Sequence, residues 1–291
     1  AVARSCAETD ARVRLLVEPH RRGKSAALAD ILKHDGADYF ILLNGDARAR
    51  PGSVAHLVRQ AETLPGGSLA IMGRPLPVST DPGTLLAATL DLLWRFHDLY
   101  HREFLGSEEM PHLSDELLLI RSEGRPALPA GIVNDGAYLA AQFARHGGTL
   151  AYAPSAEVEI AVPVRWRDLW SQRRRIHVGH RQIGAMFGRP PGSFGQRAIR
   201  HPISGAGRIA QELREIDRAL PAVTALILTE VWANVAARLV GSDAGVRFAQ
   251  WRRIRDPGRP DRNPAPEEVG GRFPSSQRRA QTLTGGPAPP R

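Results

Sequence analysis

The 291-residue sequence contains a single cysteine, Cys6. This excludes a disulfide framework and any multi-cysteine zinc or iron–sulfur site, and it fits a reducing compartment. Lysine is almost absent: Lys24 and Lys33 are the two lysines among 39 basic residues. No stretch of 18 or more uncharged apolar residues occurs, and the first residues lack the pattern of a secretory signal. What is present is an apolar fraction of 42%, which supports a sizeable core and excludes a wholly disordered chain. The length suits about two domains, or one large α/β domain with appendages.

The formal net charge is +9, and it is unevenly spread. Residues 164–208 hold ten arginines and one acid, Asp168, a local charge equal to that of the whole chain. A cationic block of this kind points to an anionic partner: phosphate groups, lipid headgroups or nucleic acid. Nucleic acid is the poorest fit, because Trp166 and Trp170 at the start of the block are its only stacking surfaces of note.

Along the first 160 residues, short apolar runs alternate with helical patterns. Residues 13–17 (VRLLV) read as a strand, 25–34 as a helix, and Tyr39–Leu43 (YFILL) as a strand buried on both faces. Residues 53–64 read as a helix and 69–72 as a strand. Further on, 85–100 and 136–146 look helical, whereas 117–120, 150–152 and 158–162 look like strands. This order predicts an α/β fold with a mostly parallel sheet flanked by helices, which binds ligands at strand carboxyl ends. From residue 165 the texture changes to long helices, near 166–187, 208–219 and 221–240. The last is mostly apolar, but Glu230, Asn234 and Arg238 fall at i, i+4 and i+8 on one stripe. That spacing suits an interfacial or packed amphipathic helix. Residues 256–291 hold eight prolines and five glycines and read as a disordered tail. The domain plan is therefore 1–163, an α/β domain; 164–255, an arginine-rich helical region; and 256–291, the tail.

Several short constellations could carry chemistry. Arg22-Gly23-Lys24-Ser25 has a phosphate-loop flavour, but Glu18 stands where a Walker A loop needs its first glycine. Asn44-Gly45-Asp46 follows a strand; a carboxylate there can hold Mg²⁺ or Mn²⁺, although these residues also make plain turns. Asn134-Asp135 precedes a helix and serves either as an N-cap or as a general base on a hydroxyl. Gln172 and Arg175 share a helix face within the cationic block, and guanidinium forks match phosphate oxygens. His177 and His180 stand at i, i+3, with no third metal ligand near them in sequence.

Taken in order, these pieces resemble the family 2 glycosyltransferases of the GT-A fold. The carriers are Gly23-Lys24-Ser25-Ala26-Ala27-Leu28, then Phe40-Ile41-Leu42-Leu43-Asn44-Gly45-Asp46 followed by Pro51. After them come Val133-Asn134-Asp135-Gly136, Gly148 with Tyr152-Ala153-Pro154-Ser155-Ala156, and Gln172-Arg173-Arg174-Arg175-Ile176. The resemblance spans about residues 12–185. It implies inverting transfer of a sugar from a nucleotide-diphosphate sugar to a hydroxyl acceptor, saccharide or lipid-linked, at the cytoplasmic face of a membrane.

By the same resemblance, Asp46 would bind a divalent metal, Mg²⁺ or Mn²⁺, with Asn44 beside it, and Lys24, Gln172 and Arg175 would contact the donor. The catalytic base would be Asp135 if Asn134-Asp135 match the family's acidic pair. In the other register Asp135-Gly136 match it, and glycine stands at the base position. The family usually begins with a further strand and nucleotide-binding loop, so the resemblance implies a domain incomplete at its amino terminus. Asn44 in place of an aspartate, Gly136, and Ile176 in place of a tryptophan motivate an alternative. That alternative is a catalytically degenerate protein of the same fold, contacting anionic lipid or a partner.

Overall fold

The computed structural model describes residues 2–18, 20, 22–105, 110–192, 202–216 and 218–240. They fall within one compact unit, Ala1–Ile254; the remaining unit, Arg255–Arg291, and with it the tail expected at 256–291, lies outside the described residues. The elements are helices α1 (Val2–Thr9) and α2 (Lys24–Ile31), strands β1 (Tyr39–Leu43) and β2 (Ala47–Ala49), helix α3 (Ser53–Thr63) and strand β3 (Leu69–Val78). Then follow α4 (Leu85–Phe104), β4 (Leu117–Arg121), α5 (Asp135–Arg145), β5 (Thr149–Ala161), α6 (Trp166–Phe187), α7 (Pro202–Arg214) and α8 (Ala219–Arg238).

The five strands form one sheet in the order β1-β4-β3-β5-β2. Helices flank it and a helical region follows, as the α/β reading expected. The strand sense differs from that reading. Only β3 and β5 pair in parallel; β1–β4, β3–β4 and β2–β5 are antiparallel. Apolar runs separated by helices are compatible with either sense, because pairing is set by where β4 inserts. That strand lies between β1 and β3, which are its predecessors in sequence.

Three further expectations are corrected. Residues 13–17 form no strand: Leu16 and Val17 are exposed and the segment is irregular. Strand β1 is not buried on both faces; Phe40 and Leu42 point into the core while Ile41 and Leu43 are exposed. The pieces read as separate strands at 150–152 and 158–162 are one long strand, β5, whose pairing with β3 shifts register at Gly73/Arg74. Gly73 permits that irregularity, since a Cβ there would lie 2.5 Å from the Ala156 carbonyl oxygen.

The alternation of side chains along the central strands divides the core. Leu69, Ile71, Leu117 and Leu119 face one side, with Leu57 and Ala61 of α3 and Leu86 and Leu90 of α4. Ala70, Met72, Leu118 and Ile120 face the other, with Leu28 of α2 and Leu139 and Phe143 of α5. Thr84 caps α4 by accepting from the Ala87 amide at 3.2 Å. Asn134 caps α5 by accepting from the Ala137 amide at 3.0 Å. Both satisfy donors that the first helical turn leaves open.

Helix α8 packs against α6 in an orientation that its sequence alone did not reveal. Glu230 faces α6, where it accepts from Arg173 at 2.5 and 3.0 Å and sits 2.9 Å from His177 Nε2. Arg181 of α6 donates to the Ala237 carbonyl. Glu230 and Asn234 of the polar stripe are therefore turned inward while Arg238 is exposed, and Leu220, Ile227, Leu228, Val231, Trp232 and Val235 are exposed as well. By length and composition α8 is apolar enough to cross a membrane.

Candidate functional site

The first turn of α5 lies beside the segment that leads into β4, and the start of α2 reaches the same place. Lys24, at the amino end of α2, is the hub. Its Nζ donates to Asp115 and lies 3.2 Å from Asp135 Oδ2. Asp135 is only 4% exposed, so the charge it carries depends on these neighbours.

Glycine and glutamine side chemistry set this geometry. A Cβ at Gly136 would lie 2.4 Å from the Leu113 carbonyl oxygen and 3.4 Å from Asp115 Cβ, so the 110–116 segment can close onto α5 only with glycine there. No side chain fits at position 136, and the buried carboxylate of this turn is Asp135. On the opposite side, Gly179 of α6 lets that helix approach the cap residue; a Cβ would stand 2.7 Å from Asn134 Cβ. One turn further on, Gln182 clamps the loop before the cap, accepting from the Val133 amide at 2.9 Å and donating to the Gly131 carbonyl at 3.0 Å. Asp135 is thus held from both sides before any ligand arrives.

Electrostatics distinguish the three acids. For Asp115, burial opposes ionisation, but the Lys24 charge and hydrogen bond outweigh it and hold the carboxyl below its ordinary range. For Asp135, burial and the neighbouring Asp115 charge raise the carboxyl above its ordinary range, with Lys24 opposing. Glu116 is raised for the same two reasons, burial and Asp115, and it accepts from the Ser114 hydroxyl. Burial disfavours the Lys24 ammonium, yet Asp115 and Asp135 together raise its affinity for the proton. Arg175 of α6 completes the set. Burial lowers its proton affinity while the charges of Asp135 and Asp115 oppose that shift, so the guanidinium acts on both carboxylates.

The Asn44-Gly45-Asp46 turn opens on the same rim. Leu43 pairs with Leu117, and the Asn44 amide donates to the Glu116 carbonyl at 3.3 Å. Asp46 itself is exposed, and among the described residues no hydrogen bond or ion pair joins it to Asp135, Gln172 or Arg175. Gln172 is half-buried on α6. The sequence-derived set therefore resolves into a group linked by charge, Lys24, Asp135 and Arg175, and two members, Asp46 and Gln172, that no hydrogen bond or ion pair among the described residues joins to it. The arginine block divides as well: Arg173 and Arg181 bind α8, whereas Arg175 faces the acids.

Sequence reasoning missed Asp115 and Glu116. The signal was available, since two acids directly precede the apolar run of β4, where a plain strand entry needs neither. The His177/His180 pair is divided between two partners. His177 is committed to Glu230, while the His180 ring lies 5.5 Å from that of His112. For a divalent cation, the turn presents the exposed Asp46 carboxylate. Such a donor suits Mg²⁺ or Mn²⁺ rather than a softer ion.

Comparison with known proteins agrees with the family that the motifs suggested. Residues 1–98 match the model of Glycosyl transferase family 2. No curated protein matches the sequence. Among solved structures, the chain is similar to the mannosyltransferase PcManGT from Pyrobaculum calidifontis, a complex with GDP-Man and Mn²⁺. The identity is 18%, the TM-score 0.45, and the alignment covers 84% of this chain and 71% of that one.

Proposed function

We propose, from the match of residues 1–98 to the Glycosyl transferase family 2 model, that this chain is a member of that family and performs inverting sugar transfer with Asp135 as the general base. The observation that carries the reading is the buried Asp135 carboxylate, its proton affinity raised, in the first turn of α5 between Lys24 and Arg175. A base whose affinity is tuned upward accepts a hydroxyl proton more readily than an ordinary exposed aspartate.

In the proposed reaction the acceptor hydroxyl oxygen bonds to the anomeric carbon of a nucleotide-diphosphate sugar from the face opposite the leaving group. Its proton passes to Asp135, and the bond from the anomeric carbon to the diphosphate oxygen breaks. Arg175 and Gln172, on one face of α6, line the side where negative charge develops. Lys24 keeps Asp115 ionised, and the Asp115 charge in turn maintains the raised proton affinity of Asp135. A divalent cation held by Asp46 beside Asn44 would supply further compensation for the leaving diphosphate.

The outward apolar face of α8 supports work at a membrane surface, on its cytoplasmic side. Trp232 lies 5.7 Å from Trp170, and both rings are partly exposed, as suits the headgroup level.

The test is nucleoside diphosphate release from a panel of UDP- and GDP-sugars, with Mg²⁺ or Mn²⁺ present or chelated. Asp135→Asn is expected to lower turnover by about 10²–10⁴-fold, the usual contribution of a general base. Asp46→Ala is expected to abolish the metal dependence. Release unaffected by Asp135→Asn would overturn the assignment, and vesicle binding without any release would favour the degenerate binding protein.

A further inference from the structure

Behind the acidic group lies a second cluster that the transfer reaction does not use. His97 and His101 stand one turn apart on α4, with their Nε2 atoms 3.1 Å from each other. His112, from the segment between α4 and β4, joins them. One ligating nitrogen from each of the three rings lies within 4.8 Å of the other two. The His112 ring is nearly parallel to that of His101, at 6.1 Å between centroids, and perpendicular to that of His97 at 6.2 Å. The His180 ring of α6 lies 5.5 Å from that of His112, centroid to centroid.

His97 and His101 share one hydrogen bond between their Nε2 atoms, and that single bond leaves the rest of this packing unexplained. His97 Nδ1, His101 Nδ1 and His180 Nε2 are all buried without a hydrogen-bond partner, and His101 is only 1% exposed. Interiors seldom leave ring nitrogens unsatisfied, and four imidazoles gathered this way is a poor use of core volume.

We propose that His97, His101 and His112 bind a zinc ion, with His180 placed to supply a fourth nitrogen. Tetrahedral zinc with bonds of about 2.0–2.1 Å separates its ligand nitrogens by about 3.3 Å, close to the spacing of the i, i+4 pair. His112 closes onto the pair by a shift of about 1.5 Å or less to reach the same spacing. An all-imidazole donor set suits zinc and its neighbours and does not suit Mg²⁺ or Mn²⁺, so this site is chemically separate from the rim at Asp46. Its consequence is positional. The ion ties α4 and α6 to the residue that precedes Ser114, Asp115 and Glu116 by two to four positions, and so anchors the segment that sets the proton affinity of Asp135.

The full chain, stripped with a chelator and then dialysed against Zn²⁺, is expected to retain one equivalent by elemental analysis and to melt at a higher temperature than the stripped form. Co²⁺ in place of zinc is expected to give the d–d bands of a tetrahedral nitrogen site without a thiolate charge-transfer band, which excludes Cys6 as the ligand. His101→Ala and the milder His112→Asn are each expected to weaken zinc binding at least 100-fold and to remove the thermal shift. Asp46→Ala is expected to leave both intact, which keeps this result independent of the transferase reading. Retention of less than a tenth of an equivalent by the wild-type chain overturns the proposal. So does stoichiometric zinc that persists in His112→Asn, whose fold is checked by circular dichroism.

Discussion

Replacing Lys24 by methionine removes the one lysine that the buried Asp135 and the half-buried Asp115 share. At 3.2 Å from Asp135, the ammonium attracts that carboxylate by about 5 kcal/mol at an effective dielectric constant of about 20. Part of this is returned, because methionine has no charge to desolvate. Truncating one partner of a buried pair costs about 3–5 kcal/mol. The Lys24 side chain is 33% exposed, so solvent screening places the expected loss lower, at about 2–3 kcal/mol.

The loss depends on pH with a definite sign. Without Lys24, Asp115 loses the partner that holds it below its ordinary range, and Asp135 rises further, since Lys24 was the charge opposing its shift. The folded variant then binds more protons than its unfolded chain between about pH 4 and neutrality, so its stability falls as pH rises through that window. With a urea slope of about 3 kcal/mol per molar, the midpoint is expected to drop by about 1 M at pH 8 and by less than half of that at pH 5. Lys24→Arg, which keeps a charge at the site, is expected to recover most of the loss. Equal shifts at pH 5 and pH 8, or no shift at either, would refute the shared ion pair.

Three other perturbations test separate parts of the molecule. Gly136→Ala forces a methyl group against the Leu113 carbonyl; after the helix-propensity gain, a net loss of about 1–2 kcal/mol should lower the melting temperature by about 4 °C. Glu230→Gln breaks the link from α8 to Arg173 and His177 and should cost about 2 kcal/mol near neutral pH, measured by denaturation. Burial opposes ionisation of Glu230, but Arg173 outweighs it and depresses the group to about 2, so the wild-type advantage is full above about pH 4.5 and disappears as pH falls through about 2. Leu228→Glu with Val231→Glu should reduce co-sedimentation with phosphatidylglycerol vesicles at least tenfold without changing the melting temperature, because both side chains are exposed.

Local patterns made much of the fold legible. The alternation of apolar runs and helical spacing identified β1, α3, β4, α5 and α6 to within a few residues, because burial imposes those periods on the chain. Asp135 and its capping neighbour Asn134 could be singled out for a similar reason: a polar pair before an apolar helix has few local roles. Lys24 and Arg175 stood out as cations, but sequence spacing could not say that they meet, since they are 151 positions apart.

Other features depended on which segments pack together. The sense of the sheet follows from β4 inserting between β1 and β3, a choice between compact arrangements that no single strand encodes. Asp115 matters only because α2 and α5 converge on it. The four histidines come from α4, a connecting segment and α6, so their meeting has no signature in spacing. The polar stripe of α8 was visible from the start, but the inward turn of Glu230 required Arg173 opposite it. Periodicity is a property of each element by itself, and sequence determines it; which charges are buried together depends on distances between elements, and only the packed structure decides those.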